Sequence, residues 1–125
     1  MPATNFSAYA RAISDSVNSL VTTGQAQVVN LTIDQRSDLR GFITGLLRFA
    51  NDSELHLREF VDLTQAEPRL MYAYHYQEAN HKLIFRYDNA ANRPPFGQAE
   101  HKHTSEQVAA SHAPTLIQVL DEILK

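Results

Sequence analysis

The 125-residue chain contains no cysteine. That excludes a disulfide framework, a thiolate nucleophile and a zinc–thiolate site, and it suits a reducing cytoplasm. Glycine is scarce: the chain has four, and none cluster, so the glycine-rich loops that cradle nucleotide phosphates are missing. No apolar run approaches the roughly 20 residues needed to span a bilayer. A basic n-region followed by an apolar h-region is also absent, so neither a membrane protein nor a signal peptide is expected. The chain has no H-E-x-x-H, no Asp-rich calcium loop and no G-x-S-x-G elbow.

What is present fits one cytoplasmic domain over residues 1–125, with 43% hydrophobic and 20% charged residues. The net charge of −3 is unevenly spread. From His81 to His103, four basic residues (Lys82, Arg86, Arg93, Lys102) face Asp88 and Glu100, which leaves that window at +2 and the remainder at −5. A local basic patch on an acidic body and scattered surface charge are both consistent with this distribution.

Phe6, Tyr9, Ala10, Ile13, Val17, Leu20 and Val21 recur at helical spacing. They predict an amphipathic helix over residues 5–22, capped by Thr4 or Asn5 and closed by Gly24. From Gln25 the period becomes two. Five strands follow, with faces marked by Val29–Ile33, Ile43–Phe49, Leu55–Leu63, Leu70–Tyr76 and Leu83–Tyr87. Asn51-Asp52-Ser53 and Glu78 to His81 are turns. Glu59 interrupts an apolar row and needs a partner, a bulge or a cleft. Asn89 to Glu100 reads as a Pro/Gly/Asn-rich loop ending in His101-Lys102-His103, and Ser105–Ser111 as a short helical turn. Pro114 opens a last helix with Leu116, Ile117, Leu120, Ile123 and Leu124 as its stripe. The expected fold is α+β: an N-terminal helix, a five-stranded antiparallel meander and a C-terminal helix, with both helices on one sheet face.

The chemistry-bearing residues gather between Tyr72 and His103. Alternation puts Arg86 and Asp88 on one face of their strand, and pairing with the preceding strand would bring His75 beside them. His101, His103, Lys102, Arg86, Asp88 and Tyr87 form a candidate catalytic set. Among them are proton carriers for the 2′-hydroxyl and 5′-oxygen of RNA and cationic donors for the phosphate. Arg93 and His75 would contact substrate, while Tyr74, Tyr76 and Phe96 would stack on unpaired bases. No metal or other cofactor is required by this reading. The same residues leave two alternatives open: a metal-dependent nuclease using the histidines, and a non-catalytic module that only binds a protein partner.

In Tyr72-Ala73-Tyr74-His75-Tyr76-Gln77, then Leu83-Ile84-Phe85-Arg86-Tyr87-Asp88-Asn89-Ala90, then His101-Lys102-His103, the sequence resembles the TumE-type toxin family. Its members are small bacterial proteins encoded beside an antitoxin. The likeness runs from about Gln27 through the last helix. It implies a toxin with RNA as substrate, silenced by a cognate antitoxin expected to bind DNA, and it leaves homo-oligomerisation open. The chain departs from the family pattern at Asn92-Arg93, where the family carries a His-His pair before proline, and at Glu100, where it often carries a further histidine. If those histidines carry catalysis, either activity is weakened here or Arg93 supplies the phosphate contact instead.

Overall fold

A computed structural model describes residues 4–89, 101–104, 108–110 and 113–125. The first helix, α1 (Phe6–Thr22), starts where the Asn5 side chain accepts from Ala8 N at 2.8 Å and ends at Gly24, in the left-handed region at φ 76°. It buries Phe6, Ala10, Ile13, Val17 and Leu20. Next come β1 (Ala26–Gln35), β2 (Arg40–Phe49), β3 (Glu54–Asp62), β4 (Arg69–Gln77) and β5 (Leu83–Asp88). The described chain continues with β6 (His101–Thr104), β7 (Val108–Ala110) and α2 (Leu116–Leu124).

The described strands form one antiparallel sheet in simple sequence order, β1 to β7. The expected meander is therefore present and is longer by two short strands. His101–Thr104, expected at a loop's end, pairs with β5. Val108–Ala110, expected as a helical turn, pairs with β6. Strand pairing gives these short segments the backbone hydrogen bonds that an isolated turn of helix would leave half-made.

Alternation divides the sheet into two unlike faces. Ile43, Leu47, Leu55, Leu57, Val61, Tyr74 and Phe85 are buried beneath the helices. Phe6 sits so close over Gly41 that a Cβ there would overlap its ring, which explains why the strand crosses under α1 at a glycine. The second helix begins two residues later than Pro114 suggested. Thr115 is its N-cap and forms a capping box with Gln118, while Pro114 lies outside and gives its carbonyl to Arg69. Its buried stripe is Leu116, Val119 and Leu120, with Ile123 packed against it. Ile117 at 58% and Leu124 at 40% exposure lie outside the stripe.

The carboxylate in the apolar row has a structural answer. Glu59, 2% exposed, accepts hydrogen bonds from the hydroxyls of Tyr9 on α1 and Tyr74 on β4. Arg69 donates to Tyr74 Oη at 2.8 Å and to the Pro114 carbonyl, and its guanidinium lies 4.7 Å from the Tyr72 ring centroid. Burial first, and then the Glu59 charge, push the Tyr9 and Tyr74 phenols well above their ordinary pKa, so both remain donors.

Leu120→Asp places an unpaired charge under α2 and is expected to cost several kcal/mol, on the order of 3–5. Loss of the cooperative thermal transition in circular dichroism is the expected result. A native melting curve would show that this stripe is not buried.

Candidate functional site on the uncovered sheet face

Residues that alternate with the core positions face away from both helices. Register aligns them in two neighbouring rows: His56, His75, Arg86 and His103 from β3 to β6, and Arg58, Ala73 and Asp88 from β3 to β5. With strands about 4.8 Å apart, the first row spans about 14 Å. Side chains distant in sequence are thus brought together by a flat, rigid scaffold.

Asp88 anchors the group. Its carboxylate is 7% exposed although no helix covers this face, and such burial is tolerated only with opposite charge at hand. Arg86 Nε lies 2.8 Å from Asp88 Oδ2, and His103 Nε2 lies 3.2 Å from the same oxygen. Arg86 Nη1 also approaches His75 Nδ1 at 3.4 Å. A guanidinium only donates, so Nδ1 accepts and the ring proton of His75 sits on Nε2, 3.0 Å from Gln77 Oε1. Gln77 Nε2 in turn donates to Glu54 Oε1 at 3.2 Å, and Glu54 pairs with Arg48 at 3.0 Å. Hydrogen bonding from Arg48 is the main reason that the Glu54 carboxyl stays below its usual range.

His75 is held neutral. Burial lowers its pKa most, and the nearby Arg86 and His56 lower it further against the opposing hydrogen bond to Gln77. The His56 ring stands nearly perpendicular to that of His75, with centroids 6.0 Å apart.

The other anticipated site residues are placed differently. Tyr87 and Lys102 share a pair position on the helix-covered face, where both bind Glu122 of α2, Tyr87 Oη at 2.6 Å and Lys102 Nζ at 2.9 Å. Lys102 Nζ also lies 5.0 Å from the centroid of the Tyr87 ring. Tyr74 is wholly buried and Tyr76 nearly so, with its hydroxyl 2.6 Å from Ser53 Oγ. His101 occupies the β6 position paired with Asp88, but its side chain lies outside the described residues, as do Arg93 and Phe96. Among the described residues no group of three or more His, Asp or Glu side chains is placed to hold a metal ion.

Sequence reasoning missed His56 and Arg58. Both lie on β3 between the apolar positions, where alternation alone assigns them to the face of His75. Asn89 also has a defined part. Its side chain accepts from Tyr72 N at 2.9 Å and donates to Leu70 O at 3.2 Å, continuing the β4–β5 ladder past the end of β5.

A family model described as Toxin TumE matches residues 11–125. The chain belongs to the TumE toxin family. No curated protein and no solved structure matches it. Membership makes this chain the toxin of a toxin–antitoxin system, with an antitoxin as its partner. Among the described residues no helix is long and apolar enough to cross a membrane. The R-Y-D-N-A stretch of this TumE chain divides its labour by parity: Arg86 and Asp88 join the open-face cluster, Tyr87 ties down α2, and Asn89 extends the ladder. H-K-H is split in the same way, with His103 beside Asp88 and Lys102 on Glu122.

The depressed His75 pKa has a sign that can be measured. An unfolded histidine takes up its proton near pH 6.5, whereas the folded His75 resists it. The stability it contributes is therefore complete above about pH 6.5 and is lost as pH falls towards the lower folded value. His75→Gln is expected to lose less stability than wild type between pH 7.5 and 5.5, read as the shift in urea midpoint. Equal losses would show that His75 titrates normally.

Proposed function

We propose that this toxin is a metal-independent endoribonuclease that cleaves RNA on the open face of its sheet. The carrying observation is the buried Asp88 carboxylate with Arg86 and His103 on one oxygen and His75 on the same guanidinium. Transesterification of RNA needs a base for the 2′-hydroxyl, a cation for the phosphate oxygens and an acid for the leaving 5′-oxygen. The 2′-oxygen bonds to phosphorus while the bond to the 5′-oxygen breaks, leaving a 2′,3′-cyclic phosphate and a 5′-hydroxyl.

His75 suits the base because it is neutral, with a lone pair at Nδ1. Arg86 holds that lone pair in the absence of substrate. Its Nε and Nη1 are engaged, which leaves three further N–H donors for a phosphate. A phosphate that draws the guanidinium towards itself releases Nδ1 to accept the 2′ proton. His103, oriented against Asp88, delivers a proton to the 5′-oxygen. Asp88 acts as a positioning group for both Arg86 and His103 and does not attack. Arg58, exposed and without an ion pair among the described residues, adds a cation on the same face. His101 stays in the candidate catalytic set and Arg93 remains a substrate contact in this reading. The toxin acts on cytoplasmic RNA until its antitoxin binds.

Purified His103→Ala, His75→Ala and Arg86→Ala proteins are expected to cleave RNA about 10²–10⁴-fold more slowly than wild type, with chelator making no difference. Lys102→Met is expected to keep its cleavage rate at low temperature and to melt earlier, since Lys102 holds α2. Undiminished cleavage in all three site variants would overturn the assignment, and loss on chelation would hand the site to a metal-dependent nuclease.

In a bacterial host the wild type expressed alone is expected to arrest growth, and His103→Ala to leave it normal. Normal growth with abundant soluble wild type would favour the protein-binding module instead.

A further inference from the structure

We infer that the open face continues beyond the catalytic cluster into a base-stacking platform for single-stranded RNA, formed by Phe42 and Phe60 with Arg58 as the phosphate contact between. This rests on the cleavage site proposed above and adds the form of its substrate. Phe42 on β2 and Phe60 on β3 are cross-strand partners whose rings stack at 4.5 Å with planes 12° apart. Both helices lie on the opposite face, so the pair is only half-buried. Cross-strand aromatic pairs stabilise sheets by about 0.2–1 kcal/mol, and that alone would explain two phenylalanines in contact. It does not explain their company.

The Arg36 guanidinium lies 5.4 Å from the Phe42 ring centroid. Met71, the register partner of Phe60, is 37% exposed. Arg58 lies two residues along β3 from Phe60, about 7 Å along the strand, and two strands from Asp88, about 10 Å across the sheet. Between Arg58 and Asp88 stands Ala73, 8% exposed. Catalytic cluster, cation and aromatic pair thus lie on a single face that neither described helix covers. With Arg36 and Phe60 both against its ring, Phe42 is occupied, and Phe60 is the ring an incoming base meets.

Aromatic rings beside cations on an open sheet favour an unpaired, flexible strand. A duplex keeps its base faces stacked internally and offers no free π-face to such a ring. Base identity matters little to such a surface because every base has a π-face.

The test uses the full chain and a fluorescein-labelled, fully 2′-O-methyl oligoribonucleotide, which binds but cannot be cleaved. Anisotropy titrations compare it with the same strand carrying abasic sugars and with its duplex. Phe60→Leu, which keeps apolar volume without a ring, is expected to weaken single-strand binding about 5- to 100-fold, and Phe60→Tyr to restore it. Arg58→Gln is expected to flatten the log-affinity against log-salt slope by about 0.7. Equal binding by Phe60→Leu and wild type, or equal binding of the abasic strand or the duplex, would overturn the platform. So would loss of antitoxin binding by Phe60→Leu with RNA binding intact. Because the probe is uncleavable, a chain without ribonuclease activity would still read out here. Conversely, wild-type cleavage alongside undiminished Phe60→Leu binding would sink the platform alone.

Discussion

The Glu59 carboxylate is the constraint from which the rest of the architecture follows. It is buried in an apolar row of a central strand and, among the described residues, accepts from Tyr9 of α1 and Tyr74 of β4. Arg69 continues the network from Tyr74 to the Pro114 carbonyl, at the threshold of α2. Removing any one member strands a buried polar group, at a cost of about 1–3 kcal/mol or more where charge is involved. A purely apolar interface would let either helix slide. A carboxylate with two specified donors fixes where α1 crosses the sheet, and the Arg69 bond fixes where α2 begins. Both helices are thereby committed to the same face.

Commitment of both helices to one face leaves the other without a helix among the described residues, and its side chains differ in kind. A covered face is filled by volume, whereas an uncovered one is free to carry groups whose requirement is charge and hydrogen bonding. Asp88 shows the distinction. It is nearly as inaccessible as the core, and among the described residues it is paired with Arg86 and His103, themselves about one-third exposed. Its burial is electrostatic shelter by neighbours, in a setting where paired charges interact more strongly than in free water. Core stability and site chemistry thus occupy alternate residues of the same strands and can be altered independently.

The alternation that organises the molecule is also what made its fold readable. Strands β1 to β5 and both helices follow from apolar periods of two and of three to four. The candidate site was only partly readable, and each difference has a physical origin. Alternation placed Arg86 and Asp88 together, yet Tyr87 was kept in the candidate catalytic set although the same alternation sends it to the opposite face. His101-Lys102-His103 was read as the end of a loop because a Pro/Gly/Asn-rich stretch precedes it; once paired as β6, Lys102 must turn away from His103. Tyr74 and Tyr76 share the parity of the core row and were nonetheless given to substrate. His56 and Arg58 were passed over because attention followed the apolar residues of β3. Asn89 had no one-dimensional signal at all, since its use as a side-chain extension of the ladder depends on where β5 ends.

The position of Arg86 between Asp88 and His75 can be filled only by a guanidinium. Lysine presents one ammonium on a flexible stem and cannot hold a carboxylate through one nitrogen while reaching an imidazole through another. The fork does both at once, and in the proposed reaction that dual engagement would couple phosphate binding to base activation. Without substrate, Arg86 occupies the lone pair that the base would use and opposes protonation of the same ring. In the proposed reaction an arriving phosphate would compete with His75 for the guanidinium while leaving Nε on Asp88, so the arginine would pivot and not detach. On that proposal the cluster, hydrogen-bonded when empty, would become competent through the same contact that binds the scissile group. That order of events requires His75, Arg86 and Asp88 to lie on one face of adjacent strands, and the β4–β5 register supplies it.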